Sequence, residues 1–398
     1  MMACRMTRPA SLPVVFSCIG HAYSHLFAVY FYLVVLPLER EWAVPYPELI
    51  ALWTVGSLLI GVMAIPAGWV ADRWSARGMM VVFFTGLGAS AILCGLAPSP
   101  RLMWWSLCLL GLFAAIYHPV GLPWLVRTSA SRGQALGING IFGSVGVASA
   151  GLVAGVLIDL FGWRAAFIVP GAVSMLTGVA MLACMRAGLV PEGARLAGVT
   201  TSATPHQRRR AFGILVFTMF GGALIYQATQ AALPKLLAVR LGEALGPGAF
   251  GVGAMVALVY GLAGLSQIAA GRLADRRPLK GVYVAAILAQ IPLLWAAAGL
   301  SGAALIIAAT AMVVANTASL PAENLLLADA APDSRQSLAF GVKFVLSFGV
   351  TPLAIRLVAF VVERTGEFVW LFAGLSGVAA AAGAAALLLH GRGRETTG

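Results

Sequence analysis

The chain has 398 residues, of which 60% are hydrophobic and only 10% charged, far too little polar surface for a soluble globule of this length. A soluble enzyme is excluded, and a polytopic membrane protein is indicated. The formal charge of +12 does not signal nucleic acid, because the basic residues sit in short loops between apolar runs and form no extended stripe.

At about 20 apolar residues per membrane span, the chain divides into roughly twelve spans. They are expected near 11–37, 48–71, 78–97, 102–126, 134–159, 164–186, 211–237, 249–271, 280–299, 301–327, 337–361 and 367–390. The first run begins within about fifteen residues of Met1 with no short cleavable core before it, so it reads as a retained span. Gly143, Gly146, Gly151 and Gly155 in the fifth run let helix backbones approach closely, and they are assigned to packing. Ala187 to Arg210, rich in Gly, Thr, Ala and Arg, reads as a mobile linker. The expected domains are an N-terminal six-helix bundle (1–186), a cytoplasmic linker (187–210) and a C-terminal six-helix bundle (211–398). The only hairpin available between the ninth and tenth spans is Gly299-Leu-Ser-Gly302. Cys4, Cys18, Cys94, Cys108 and Cys184 show no metal-site spacing and predict no disulfide framework.

Most of the 26 lysines and arginines fall on one side if both termini are cytoplasmic; the outer loops then hold only Arg40, Arg101, Arg164, Lys235, Arg240 and Arg364. This bias is the positive-inside signature.

A short charged hinge, Gly68-Trp-Val-Ala-Asp72-Arg73-Trp-Ser-Ala-Arg77, recurs as Gly271-Arg-Leu-Ala-Asp275-Arg276 at one common offset. Ala135-x-Gly137 is matched by Ala339-x-Gly341, and Pro119 by Pro321, at nearly that offset. Two copies of a membrane unit of six spans explain this pattern. The hinge resembles the loop G-x-x-x-D-R-x-G-R-R of the major facilitator superfamily, carried by Gly68, Asp72, Arg73 and Arg77. Ser75 and Ala76 depart from it.

Gly20-His21…His25 with Leu36-Pro37-Leu38, Tyr117-His118-Pro119 and Gly162-Trp163-Arg164-Ala-Ala-Phe167 further resemble the bacterial fosmidomycin-resistance-like efflux branch. Leu107 stands four residues before Gly111, where drug/proton antiporters of the superfamily usually carry arginine, and Gly151-Leu152 stands in place of their Gly-Pro. The resemblance implies an all-α fold of two six-helix bundles and alternating access in a bacterial inner membrane. It also implies that the first, fourth, seventh and tenth helices line a central cavity.

Ionisable side chains in hydrocarbon cost a few kcal/mol each, so those present are candidates for function. His21 and His25 share a helix face, with His21 about 15 Å from the cytoplasmic end of its span. His118 lies roughly 13 Å from the same side. With Tyr117 on the fourth span, Tyr226, Gln227 and Gln230 on the seventh, and Asn316, Glu323 and Asn324 on the tenth, they make a candidate substrate and proton site. Histidine titrates near neutral pH, which suits proton coupling or, when charged, binding of an anionic group. Structural hydrogen bonding between helices is the competing reading. As zinc ligands the three histidines would need a convergence that sequence does not show, and no metal or other cofactor is expected.

Glu323 lies only about 9 Å from Asp329, so an interfacial position competes with a buried one. Lys343 is too deep for an interface residue unless it snorkels, and pairing with Glu323 or attraction of an anionic substrate is open to it. Asp72 with Arg73 and Asp275 with Arg276 are expected to form charge pairs that hold in one conformation and break in the other.

The sequence holds no G-x-x-x-x-G-K-[ST] loop and no soluble catalytic domain, so neither ATP-driven export nor enzyme activity is expected. The expected partners are a small-molecule substrate, protons and membrane lipid, for a chain acting as a monomer without nucleic acid. Proton-coupled export of a small amphipathic or anionic molecule leads. Import or facilitated diffusion of a metabolite is the alternative within the same fold, and a non-transporting scaffold or sensor is the alternative from another class.

Overall fold

The computed structural model describes residues 12–129, 132–193, 205–246, 248–330 and 336–389. Among these every regular element is a helix: α1 (Leu12–Glu41), α2 (Tyr46–Ala51), α3 (Trp53–Val62), α4 (Ala64–Arg73), α5 (Ala76–Gly95), α6 (Pro100–Ala114), α7 (Tyr117–Thr128), α8 (Arg132–Phe161), α9 (Trp163–Arg186), α10 (Pro205–Leu245), α11 (Phe250–Arg276), α12 (Leu279–Gly299), α13 (Gly302–Ala330), α14 (Gln336–Gly349), α15 (Thr351–Thr365) and α16 (Val369–Leu387). They make 11 elements long and apolar enough to cross a membrane, and the bent α2–α4 run is the twelfth.

Three spans expected as single helices are broken, each two to four residues before a proline. Pro66 follows Val62 and the 41° bend between α3 and α4; Pro119 follows Ala115, where α6 gives way to α7; Pro352 follows Phe348 at the α14–α15 break. The pyrrolidine ring has no N–H to give and crowds the carbonyl of the residue four earlier. The hairpin expected at 299–302 is present, with Gly302 at a φ of +58° that suits glycine. The seventh span departs from expectation at its start, since α10 begins at Pro205 and carries Arg208 to Arg210 in its first turns.

Within the first half α1 packs on α8, α5 on α9 and α3 on α6; within the second, α13 lies against α11 and α12, and α16 against α10 and α12. The halves meet where α8 packs on α11, α3 on α14, α2 on α15 and α1 on α10. Because lipid is as apolar as a side chain, these contacts rest on close backbone approach. A Cβ on Gly151 or on Gly253 would overlap the other's carbonyl oxygen, and one on Gly61 would come within 2.9 Å of Gly349 N.

The end of the bundle where α4 and α11 finish, carrying Arg73 and Arg276, is called here the hinge face, and the opposite end the far face. At the far face Lys235 of α10 pairs with Glu39 of α1, and the Tyr46 hydroxyl donates to the Ala231 carbonyl at 3.1 Å. The Asp159 carboxylate, at the end of α8, accepts from the backbone N–H groups of Ala249 (2.7 Å) and Phe250 (2.8 Å), so it caps the first turn of α11 across the two halves. Nearer mid-depth, Gln267 Nε2 donates to Ser144 Oγ at 3.0 Å.

Candidate functional site

The three deep histidines converge. His21 and His25, one turn apart on α1, place their Nε2 atoms 3.2 Å apart, and His118 at the start of α7 brings its ring to 5.4 Å from each of theirs. One nitrogen from each of the three rings lies within 4.8 Å of the others. His21 Nδ1 lies 2.7 Å from the Asn139 carbonyl oxygen; a carbonyl only accepts, so this nitrogen holds the hydrogen and Nε2 presents its lone pair. His118 is 8% exposed and its Nδ1 has no hydrogen-bond partner. Gly143 makes room for the His21 ring, since a Cβ there would stand 2.7 Å from Cε1. Phe344 and Phe348 of α14 cover the cluster, with ring centroids 5.3 and 4.7 Å from that of His118.

Tyr117 stacks on His21 at 5.1 Å, but its hydroxyl is committed to helix packing. It donates to the Ser17 carbonyl at 2.8 Å and accepts from Asn139 Nδ2 at 2.8 Å, tying the first, fourth and fifth spans together.

The second buried group lies in the other half. Lys343 Nζ is 2.7 Å from Glu323 Oε1, and both residues are buried, at 8% and 5% exposure. This places Glu323 away from the interface that its spacing to Asp329 allowed. Tyr283 Oη donates to Glu323 Oε2 at 3.1 Å and touches Thr218 Oγ1 at 2.8 Å, while Lys343 also donates to Asn324 Oδ1. Four spans, the seventh, ninth, tenth and eleventh, contribute to this one network.

The other polar candidates are engaged between helices. Gln227 Nε2 donates to the Ser347 carbonyl at 2.8 Å, Asn316 Nδ2 to Gly222 O (3.1 Å) and Gln290 Oε1 (2.9 Å), and Tyr226 lies beside Gln230 one turn on. Sequence reasoning passed over a set of aromatic donors at the junction of α1, α3, α10 and α11. Tyr32 neighbours Trp53, Tyr46 and Tyr260, whose ring lies 6.0 Å from that of Tyr226. The hydroxyls of Tyr32, Tyr260 and Thr229 and the Trp53 Nε1 are buried without hydrogen-bond partners, as is the hydroxyl of Tyr30, whose ring packs on Phe167 of α9 away from this junction. Unpaired buried polar atoms in such number mark a place for a ligand or water.

At the hinge, Asp72 lies 4.0 Å from Arg127 of α7 with its side chain 70% exposed, a weak pair by position. Arg73 stacks over the Trp69 ring at 4.0 Å, and Gly68 faces Pro119. Arg77 pairs instead with Glu192 at 3.2 Å and donates to Val190 O. Ser75, a departure from the motif, caps α5 through Gly78 N at 3.0 Å and donates to Glu192 at 2.8 Å. The start of the linker, expected to be mobile, is thus held on the first bundle. Gly271 and Arg276 sit at the end of α11; the side chain of Asp275 lies outside the described residues, as do the arms of the linker at 194–204 and both chain ends.

Twelve helical spans in two packed bundles, with ionisable groups enclosed at mid-depth, define a polytopic membrane transporter. The Major Facilitator Superfamily model matches residues 19–346, and the chain belongs to that family. Among curated relatives, the multidrug efflux pump LfrA of Mycolicibacterium smegmatis is 32% identical over 124 residues, 30% of this chain and 24% of the relative. The tetracenomycin C resistance and export protein of Streptomyces glaucescens is 28% identical over 149 residues, 36% of this chain and 27% of the relative. The matches thus span about a quarter of these relatives. A bacterial homolog of the human lysosomal transporter Spinster, solved inward-facing and occupied, shares the fold at a TM-score of 0.72 and 16% identity over 94% of this chain and 93% of that one. A POT family transporter in complex with a thioalcohol conjugated peptide does so at 0.76 and 12%, over 94% and 95%.

Proposed function

We propose that the chain exports a small amphipathic molecule by alternating access in exchange for protons, with Glu323 as the coupling carboxylate. The observation that carries this is the Glu323–Lys343 pair, enclosed in the membrane and bonded to Tyr283 and Asn324. A buried ion pair is costly to keep where apolar residues would pack, so its retention calls for a task. A proton reaching Glu323 neutralises one partner and leaves Lys343 uncompensated, which favours a different arrangement of α13 and α14. Proton occupancy thereby biases the equilibrium between the two orientations, as coupling requires. The Tyr32 and Tyr260 hydroxyls and Trp53 Nε1, which lie at one junction between the halves, supply polar groups beside apolar ring faces, a lining suited to an amphipathic substrate.

The arginine bias puts the hinge face and both termini in the cytoplasm of a bacterial inner membrane. The bonded far face is then the closed periplasmic side, and the chain acts as a monomer with residues 1–186 and 211–398 as its two moving bundles. The LfrA and tetracenomycin relatives support the export direction. A second reading follows from Lys343 itself: if Glu323 is protonated, the free ammonium attracts an anionic substrate group, and proton and anion cross together.

The test uses the compound that most raises the melting temperature of the purified chain in a ligand screen. In proteoliposomes with an imposed pH gradient, that compound is expected to accumulate against its gradient, opposite to proton flow. Glu323→Gln should abolish this accumulation while preserving counterflow of labelled compound. Accumulation along proton flow would favour the cotransport reading, and unaltered pH-driven transport by Glu323→Gln would remove Glu323 from the mechanism.

A further inference from the structure

We propose that His21, His25 and His118 form a binding site for a divalent first-row transition metal of zinc type. Zinc bound by imidazoles at about 2.0–2.1 Å in tetrahedral geometry needs ligand nitrogens about 3.4 Å apart. The His21 and His25 nitrogens are 3.2 Å apart, and all three lie within 4.8 Å, so a small turn of the His118 ring completes one face of a tetrahedron.

Two further observations point to an ion. His21 donates its Nδ1 hydrogen to the Asn139 carbonyl, which fixes the ring and leaves Nε2 as the lone-pair donor, the arrangement that orients metal-bound imidazoles. His118, more than nine-tenths buried, keeps a ring nitrogen with no hydrogen-bond partner beside the other two rings. In the metal-free arrangement the single hydrogen between the His21 and His25 Nε2 atoms belongs to His25. Metal binding needs that hydrogen to move to His25 Nδ1, a tautomer change that leaves the ring neutral. The packing around the cluster is aromatic: Tyr117 stacks on His21, Phe344 and Phe348 face His118, and Phe348 lies 6.4 Å from His25. Three neutral nitrogens without a carboxylate select borderline-soft ions over magnesium or calcium. Three protein ligands would leave a fourth position for water or an anionic donor, and Phe344 and Phe348 of α14, from the opposite half, pack on the cluster. The site is independent of the coupling role given to Glu323.

The experiment uses the full chain, purified without a polyhistidine tag and treated with chelator. Titration with zinc chloride against a chromophoric chelator is expected to show one tight site per chain, and cobalt(II) chloride should give the visible absorption of a four-coordinate nitrogen-rich centre. His118→Ala should weaken zinc binding by at least about 10- to 100-fold, as should His25→Gln, while His206→Gln, outside the cluster, should not. Melting curves with and without zinc read the same point, since stabilisation by the ion is expected in the parent chain and lost in both cluster variants. Binding unaltered in either cluster variant, or folded parent chain that takes up neither ion, would overturn the proposal.

Discussion

Lys343→Ala is expected to lower the unfolding free energy by about 3–5 kcal/mol, because it strands the Glu323 carboxylate in a site 5% exposed with only Tyr283 left to donate. The penalty is that of an unpaired buried charge, and it differs from the worth of the pair. Glu323→Gln should cost less, since the amide oxygen still accepts from Lys343 while the amide NH2 meets the Tyr283 hydroxyl, which can accept. For the cycle the lysine is replaced by methionine, which keeps the bulk: Lys343→Met alone strands the carboxylate as Lys343→Ala does, and Glu323→Gln with Lys343→Met, which removes both charges, should recover most of that loss and give a large coupling energy. Reversible unfolding in mixed micelles measures all four states. Additive losses would show that the two side chains do not interact in the membrane.

Breaking the far-face contacts should move the molecule toward its other orientation. Asp159 satisfies two N–H groups at the start of α11 and sits at the positive end of that helix, so Asp159→Ala removes about 1–2 kcal/mol from this arrangement. Lys235→Ala removes a partly exposed pair with Glu39, worth up to about 1 kcal/mol. Together they amount to about 1–3 kcal/mol, a shift of roughly 5- to 150-fold in the two-state ratio. Neither residue contacts the Glu323 network, so the shift should appear with the network intact. Labelling of single cysteines introduced at each face reads it: the far face should become reactive and the hinge face protected. Unchanged labelling in the double variant would mean that the α8–α11 and α3–α14 crossings hold the face shut without these contacts.

Much of this was readable in the chain. Composition and span length gave the number of spans, and the repeated Gly68 and Gly271 hinges gave the two halves, because these follow from local sequence. His21 and His25 share a face by helical periodicity, and counting rises from the arginine-rich side put His118 at their depth. The breaks at Pro66, Pro119 and Pro352 carried a visible signal that a hydropathy division overlooks, since proline inside an apolar run hardly alters it. Tyr30, Tyr32 and Tyr260 were missed for a related reason: in a span their rings count as apolar, and only packing shows that their hydroxyls lack partners. Asn139 could have been found as a lone amide in an apolar run. Asp159, Glu192 and Glu39 could not, because each sits at a span end like any loop acid, and its partner is chosen by how distant segments meet.

Alternating access requires two bundles that open one face as they close the other. Spin labels at Arg101 and Glu243, both exposed across the far face, and at Arg73 and Arg276, both exposed across the hinge face, give one distance for each side. Pulsed electron–electron resonance on both pairs, in nanodiscs at two pH values with and without the stabilising compound, should show the two distances changing in opposite senses. Distances that stay fixed in every condition, or that lengthen and shorten together, would contradict alternating access.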